Sequence, residues 1–172
     1  MRLNTRRIAF AGVLAAAYAA ITLASASLAY GPVQFRLAEA LTVFCCFTPA
    51  AVPGMVLGCM AANLASFVSA WDFVIGSCAT LLACLLTRAM SRRLEEQRWL
   101  IWLIPLPTVL CNAVIVGAEI AVFFDDRAFL PAWGLNALSV GAGEAAVMYA
   151  LGLPFLYFLL KNRELSRKLR GL

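Results

Sequence analysis

The chain alternates long apolar stretches with short clusters of charge. Runs without a charged residue cover residues 8–35, 40–71, 73–87, 99–118, 128–143 and 145–160. About 20 apolar residues are enough to cross the hydrocarbon core of a bilayer as a helix. Because backbone groups inside lipid must satisfy one another, helices are the expected element. The pattern therefore predicts an all-α integral membrane bundle.

Turn-forming residues divide these runs into six predicted transmembrane helices. The turns fall at 30–32 and Pro131 on the outer side and at 48–54 on the inner side. The predicted helices cover residues 7–28, 37–48, 51–69, 73–90, 99–124 and 134–160. The second is short, about 18 Å at 1.5 Å per residue. It is expected to lie beneath the loop 29–36, folded back over the bundle.

Composition and charge fix the predicted orientation. Hydrophobic residues make up 63% of the chain and charged residues 13%, against about 25% charged in soluble domains. Twelve of the 14 Lys and Arg residues lie in three clusters, at 2–7, 88–98 and 161–170. Because basic loops stay in the cytoplasm, both termini are expected inside, with an even number of crossings between clusters. Residues 1–172 then form one domain in a bacterial plasma membrane, and 161–172 form a basic cytoplasmic tail.

Several function classes lack the residues they need. The chain has no histidine, and its six cysteines, which contain no CxxC pair, are interpreted as small buried hydrophobes. No phosphate-binding glycine loop is present. No metal, no cofactor and no catalysis are therefore expected of this chain. The net charge of +5 comes from the membrane-flanking clusters, so nucleic acid is not an expected partner. The N-terminal run exceeds the apolar core of a signal peptide, so it is expected to remain as the first helix.

Polar side chains inside or beside the predicted helices are the candidate functional residues. They are Glu39, Asn63, Asp72, Asn112, Glu119 and Glu144. A carboxylate near the bilayer centre costs roughly 2.5–3.5 kcal/mol on insertion scales, and it usually faces a partner, a cavity or a solute path. Glu119 and Glu144 are therefore the strongest candidates.

The other polar residues have structural alternatives. Asp72 could cap the fourth helix, and Asn112 could join two helices. Arg36 and Glu39 are three residues apart, so they could form an interfacial ion pair. Asn112 and Glu119 are seven residues apart, which places them on one helix face.

A row of small residues follows the first predicted helix. Ala11, Ala15 and Ala19 recur every four residues, and so do Gly12, Ala16 and Ala20. Small residues at this spacing let a second helix approach closely. The pattern fits a docking surface for a partner protein, and it fits internal packing equally well.

Residues 30–42, with the sequence YGPVQFRLAEALT, resemble the first-loop signature of the QueT transporter family. Shorter stretches that resemble the same family follow in order at 51–54, 58–63, 72–83, 112–117 and 141–144. The QFRxxEALT motif is quite specific, whereas the NAVIVG and GAGE stretches are weak singly and support one another by order. The resemblance runs from about residue 5 to residue 160. The stretches 66–70 and 125–127 have no counterpart.

This resemblance implies a substrate-specificity subunit (S component) of an energy-coupling-factor importer. Such subunits have six helices and a solute pocket near the outer face. They dock on a transmembrane coupling (T) subunit and two cytoplasmic ATPase subunits, which use ATP. The resemblance implies that Ala11, Ala15 and Ala19 form the docking surface. The implied substrates are queuosine precursors: 7-aminomethyl-7-deazaguanine, queuine or queuosine.

The chemistry of a 7-deazaguanine fits the polar residues. One carboxylate can accept the two adjacent N–H groups of its pairing edge, amides can meet its carbonyl and ring nitrogens, and Phe35, Trp71 and Trp133 could stack on its ring. The predicted substrate-binding residues are Gln34, Phe35, Arg36, Glu39, Asn63, Trp71, Asp72, Asn112, Glu119 and Glu144. Two alternatives remain: an S component for another vitamin or nucleobase, and a small gradient-driven membrane transporter.

Overall fold

The computed structural model describes residues 4–29, 33–66, 70–94 and 96–172, and all regular structure within them is helical. The α-helices are α1 Thr5–Ala24, α2 Ala26–Ala29, α3 Ala51–Ser66, α4 Ala70–Ser91, α5 Leu106–Cys111, α6 Gly117–Phe123, α7 Phe129–Val147, α8 Leu153–Lys161 and α9 Arg163–Arg170. Two 3₁₀ helices cover Leu37–Cys46 and Arg98–Leu103, and two π segments cover Asn112–Val116 and Met148–Gly152. The predicted all-α fold is confirmed.

Four helical runs among the described residues are long and apolar enough to cross a membrane. They are Thr5–Ala24, Trp71–Ser91, Arg98–Phe123 and Phe129–Lys161. Shorter apolar helices cover Leu37–Cys46 and Ala51–Leu64, where two more crossings were predicted. The chain is therefore a multi-pass helical bundle, and the count of six crossings stays a prediction. The predicted turn at 30–32 and the end of the third helix at 67–69 lie outside the described residues.

The second predicted helix differs in type from the expectation. Leu37–Cys46 is a 3₁₀ helix, so its ten residues rise about 20 Å at 2.0 Å per residue. The Thr42 hydroxyl donates to the Glu39 carbonyl three residues back, at 2.8 Å, which reinforces a three-residue repeat. At the other end, Arg88 Nη1 donates to the carbonyls of Cys45 and Cys46 at 3.3 and 3.2 Å. A cation thus satisfies carbonyls that the helix leaves open.

Serine and proline residues mark three local features of the remaining helices. Helix α1 stops before the predicted residue 28 because Ser25 caps it and its hydroxyl donates to the Ile21 carbonyl. Helix α7 begins at Phe129, so Pro131 lies in its first turn and not in a preceding loop; a proline fits there because the first-turn N–H has no helical partner. Pro154 removes one N–H from the last long run, directly after the π segment Met148–Gly152.

The second and third basic clusters lie at the same end of the bundle, as their predicted common side requires. Arg98, Lys161 and Arg170 line one recess there, of about 630 Å³, and Arg88 and Arg92 share a second with Arg170. The predicted basic tail continues as helix α9, which is held to the bundle by Leu165, Leu169 and Leu172. We call this the basic end.

Helices α1 and α3 approach closely where two glycines of α3 face α1. A Cβ atom on Gly54 would lie 2.8 Å from the Ala11 carbonyl oxygen, and one on Gly58 would lie 2.8 Å from that of Ala15. The two backbones approach so closely only because both positions are glycine. We call this contact the α1–α3 seam.

The seam changes the role expected of the first small-residue row. Ala11 and Ala15 lie against α3, and Ala19 packs on the core beside them. These three half-buried residues therefore contribute to internal packing, and their role in docking stays a prediction. The second row, Gly12, Ala16 and Ala20, is exposed on the outer surface of α1. A Cβ atom added to Gly12 would meet no described residue within 4 Å.

Candidate solute-binding site

The segment 33–36 is tied to the helices on both sides of it. The Phe35 N–H donates to the Leu28 carbonyl at 2.9 Å. A Cβ atom on Gly143 would overlap the Gln34 carbonyl oxygen, so only glycine lets this segment lie on α7. Gln34 and Phe35 are half-buried and Arg36 is buried. Gly143 therefore brings three predicted site residues next to Glu144.

Glu39 is fully buried and holds two hydroxyl donors. Tyr18 Oη donates to its Oε1 at 2.7 Å, and Thr80 Oγ1 donates to the same oxygen at 3.0 Å. Its Oε2 is buried without a hydrogen-bond partner among the described residues. A carboxylate half satisfied by the protein still presents one acceptor oxygen to a ligand.

Cys59 joins the polar groups around Glu39. Arg36 Nη2 lies 3.4 Å from its sulfur, and Asn63 Nδ2 and Thr80 Oγ1 each lie 3.5 Å from it. The interfacial ion pair between Arg36 and Glu39 is not formed in this structure. Arg36 precedes the 3₁₀ helix with φ −83° and ψ 80°, and its guanidinium reaches α3 while remaining within electrostatic range of Glu39 and Asp72.

Asp72 and Asn63 form a second polar group at the start of α4. Asn63 Nδ2 donates to the Asp72 carbonyl oxygen at 2.8 Å. A Cβ atom on Gly76 would lie 2.7 Å from Asp72 Oδ1 and 3.0 Å from Asn63 Nδ2, so glycine makes room for both side chains. Helix α4 begins at Ala70, which puts Asp72 inside its first turn and not at the predicted capping position. A carboxylate there still benefits from the positive end of the helix dipole.

Asn112 and Glu144 pair across the bundle. Asn112 Nδ2 donates to Glu144 Oε1 at 3.2 Å, and both residues are fully buried. The other oxygen of each, Asn112 Oδ1 and Glu144 Oε2, has no partner within the described part of the chain. Asn112 opens a π segment, a distortion that is frequent at functional sites. Glu144 lies within electrostatic range of Glu39 and Arg36, so these residues belong to one buried cluster.

Glu119 lies two helical turns from Asn112 and is 4% exposed. Both of its carboxylate oxygens are buried, and no described residue offers either one a hydrogen bond. Asp72 and Arg36 are within electrostatic range of it. Next to it, Trp71 of α4 stacks on Phe123 of α6, with ring centroids 4.7 Å apart and planes at 13°.

The predicted ionisable residues therefore form one buried polar cluster, which we call the acidic pocket. Its members are Arg36, Glu39, Asp72, Glu119 and Glu144, four carboxyl groups and one guanidinium. In low dielectric an uncompensated charge costs several kcal/mol. The pocket therefore favours a ligand with several N–H donors.

The aromatic residues expected to stack on a ligand have different surroundings. Trp71 is about half exposed and stacks on Phe123. Trp133 stacks on Phe129, and its Nε1 donates to the Val114 carbonyl at 3.1 Å. Phe35 is half-buried and directly precedes Arg36, as Trp71 directly precedes Asp72.

Several pocket residues were not predicted from the sequence. They are Tyr18, Thr42, Cys59, Thr80 and Thr108. Cys59 was interpreted as an inert hydrophobe, yet three donors point at its sulfur. The sequence did contain a signal for three of them: Thr42, Cys59 and Thr80 lie inside the stretches 30–42, 58–63 and 72–83, which resemble the QueT family. Among the described residues, no group of three acidic, cysteine or histidine side chains is arranged to hold a metal ion.

The fold places the chain among the multi-pass helical membrane proteins, and buried carboxylates without partners are the residues that such proteins keep for solutes and ions. The sequence profile of the QueT transporter family matches residues 8–161. The chain belongs to the QueT transporter family, and it is therefore a membrane transport protein.

A similar protein is the queuosine precursor transporter QueT of Lactococcus lactis subsp. cremoris (strain MG1363). The two are 30% identical over 175 residues, which cover 95% of this chain and 98% of the relative. No solved structure matches this chain.

Proposed function

We propose that this chain binds a queuosine precursor, a 7-deazaguanine derivative, in the acidic pocket. It does so as the substrate-specificity subunit of an ATP-driven energy-coupling-factor importer. The observation that carries the proposal is the set of oxygens on Glu39, Asn112 and Glu144 that no described residue partners. Leaving a buried polar group unpaired costs about 1–3 kcal/mol, so these oxygens favour a ligand that supplies donors.

The pairing edge of the base matches the deep part of this pocket. It carries adjacent N–H groups that a carboxylate accepts in parallel, and Glu144 Oε2 and Glu39 Oε2 are the open acceptors there. Arg36 supplies a donor for the ring carbonyl. Gln34 and Phe35 lie on the segment packed against Gly143, so they cover the bound ring.

The basic end faces the cytoplasm in this proposal, because basic segments are retained there. Six crossings then put both termini inside and the Trp71–Phe123 stack toward the outer face of a bacterial plasma membrane. Solute enters from that side, past the segment 33–36. A reporter fused at residues 92–98 gives a cytoplasmic signal under this arrangement, and a periplasmic signal would reverse it.

Energy comes from partner subunits in this proposal, since the chain has no phosphate-binding loop. The exposed row Gly12, Ala16 and Ala20 is the surface through which α1 meets a transmembrane coupling subunit, which two cytoplasmic ATPases drive. Ala16→Trp should abolish co-purification with those subunits while solute binding persists. Leu138→Trp, at an exposed position on α7, is the control. Co-purification that survives Ala16→Trp would remove this surface from the proposal.

The proposed substrate is tested by purifying the protein from cells and identifying bound small molecules by mass spectrometry. A calorimetric titration with 7-aminomethyl-7-deazaguanine follows. Glu144→Gln should lower its affinity by about 1–3 kcal/mol, roughly fivefold to 150-fold in Kd. Glu164→Gln, at an exposed carboxylate paired with Lys168, is the matched control. Unchanged affinity in Glu144→Gln would take Glu144 out of the site.

A further inference from the structure

Glu119 differs from the other buried glutamates in receiving no hydrogen bond from any described residue. Glu39 and Glu144 each use one oxygen within the protein and leave one open, whereas both oxygens of Glu119 are open. The residue is only 4% exposed, so bulk water does not replace the missing donors. Burying a carboxylate without hydrogen-bond donors is energetically costly, so Glu119 favours a donor supplied by a ligand.

Glu119 also lies at a different depth from the residues that suit the base edge. Seven residues separate it from Asn112, about 10 Å along a helix at 1.5 Å per residue. Phe123, one turn beyond Glu119, carries the stack with Trp71. The pocket therefore has a deep level at Glu39, Asn112 and Glu144 and an upper level at Glu119 and Asp72.

The two levels of the pocket suit ligand groups of different charge. Arg36 lies within electrostatic range of both Glu119 and Glu144, and it is the one cation among the buried described residues. A neutral ring can satisfy hydrogen bonds at the deep level, but it adds no positive charge to the upper pair of carboxylates, which share the single charge of Arg36 with the deep level. An alkylammonium group has three N–H donors and one positive charge, which fits two open oxygens and a nearby second carboxylate.

We infer that Glu119, assisted by Asp72, forms a cation subsite that binds a positively charged amine on the arm at C7 of a 7-deazaguanine. This inference rests on the proposed function, since the ring must be seated at the deep level. The subsite makes the pocket selective for an aminomethyl arm over a neutral arm of similar size. Glu119 then binds the substituent, and Glu39 and Glu144 bind the ring.

Two analogues that share the ring test this assignment. One is 7-aminomethyl-7-deazaguanine, which is cationic at pH 7, and the other is 7-cyano-7-deazaguanine, whose arm is neutral. The unaltered protein should bind the amine at least about tenfold more tightly, as expected for a hydrogen-bonded charge. Glu119→Gln should weaken amine binding about tenfold or more and leave nitrile binding within about twofold.

Controls separate this inference from the proposed function. Asp126→Asn, at an exposed carboxylate in the loop after α6, should change neither affinity. If Glu119→Gln weakens both analogues equally, the cation subsite is wrong and ring binding stands. If the unaltered protein binds neither analogue, the proposed function fails and the subsite falls with it. If Glu119→Gln does not fold, Glu119→Asp keeps the charge but shortens its reach, and it should show the same selective loss of the amine.

Discussion

The α1–α3 seam and the acidic pocket differ in whether the protein itself satisfies the groups that face one another. At the seam, Gly54 and Gly58 omit side-chain atoms so that two backbones touch, and the chain itself fills the space. In the pocket, Glu119 and Glu144 present polar atoms that the described residues leave without partners. The first region is complete on its own. In the proposed function the second is completed by a ligand, so the two should respond differently to substitution.

Tyr18 connects these two regions. Its Cβ atom would lie 2.7 Å from a Cβ on Gly58, and its hydroxyl donates to Glu39 at 2.7 Å. Close packing at the seam therefore sets the position of a donor in the pocket. A change that separates α1 from α3 should disturb binding as well as stability, whereas a change in the pocket should act on binding first.

The largest expected effect comes from separating the helices at the seam. Gly58→Leu should lower the free energy of unfolding by about 3 kcal/mol or more, since overpacked sites cost roughly 1–3 kcal/mol and backbone contacts cannot yield as side chains do. Thermal unfolding of the detergent-purified protein measures this. Gly12→Leu is the control, because no described residue lies near that position. Equal melting temperatures in the two variants would contradict the seam.

A smaller effect is expected from removing the connecting hydroxyl. Tyr18→Phe keeps the ring at the seam but removes one donor to Glu39, and hydrogen bonds to charged groups contribute about 1.5–3 kcal/mol. Affinity for 7-aminomethyl-7-deazaguanine should fall, and the melting temperature should fall less than in Gly58→Leu. Tyr157→Phe, at an exposed ring, should change neither. A loss of stability without loss of affinity would assign Tyr18 to the seam alone.

The smallest effect is expected in the exposed loop beyond both regions. Hydrogen bonds from Arg127 at 2.7 and 2.8 Å hold the pKa of the Asp125 carboxyl well below its ordinary value. Because the pKa of Asp125 is lower in the folded protein than in the unfolded protein, any stabilisation from this pair is present at pH values above the unfolded-state pKa. It is lost as the pH falls through the folded-state pKa. Arg127→Ala should therefore raise the Asp125 pKa toward its ordinary value, as carbon-13 NMR of labelled aspartate would show. Because the Arg127 side chain is 56% exposed, melting at pH 7 should change little; a large drop would contradict this.

The helices and the acids of the pocket were predictable because each leaves a mark in the linear pattern. The predicted helix at 73–90 covers most of α4, and the cost of a carboxylate in lipid marked Glu119 and Glu144 as candidate functional residues. The pairing of Arg36 with Glu39 was not a safe deduction from their spacing. It assumed that Arg36 belongs to the helix, whereas Arg36 lies before it and turns toward Cys59.

The amino-acid sequence by itself determined the helical membrane class, the clustering of basic residues and the identity of the buried acids, because hydropathy and charge act on each residue locally. Only the tertiary structure decided which small-residue row of α1 packs against α3, that Cys59 lies among polar donors, and which carboxylate oxygens remain open. These features depend on how helices far apart in the chain approach one another. Side-chain partners across such contacts are set by packing geometry, which no local pattern encodes.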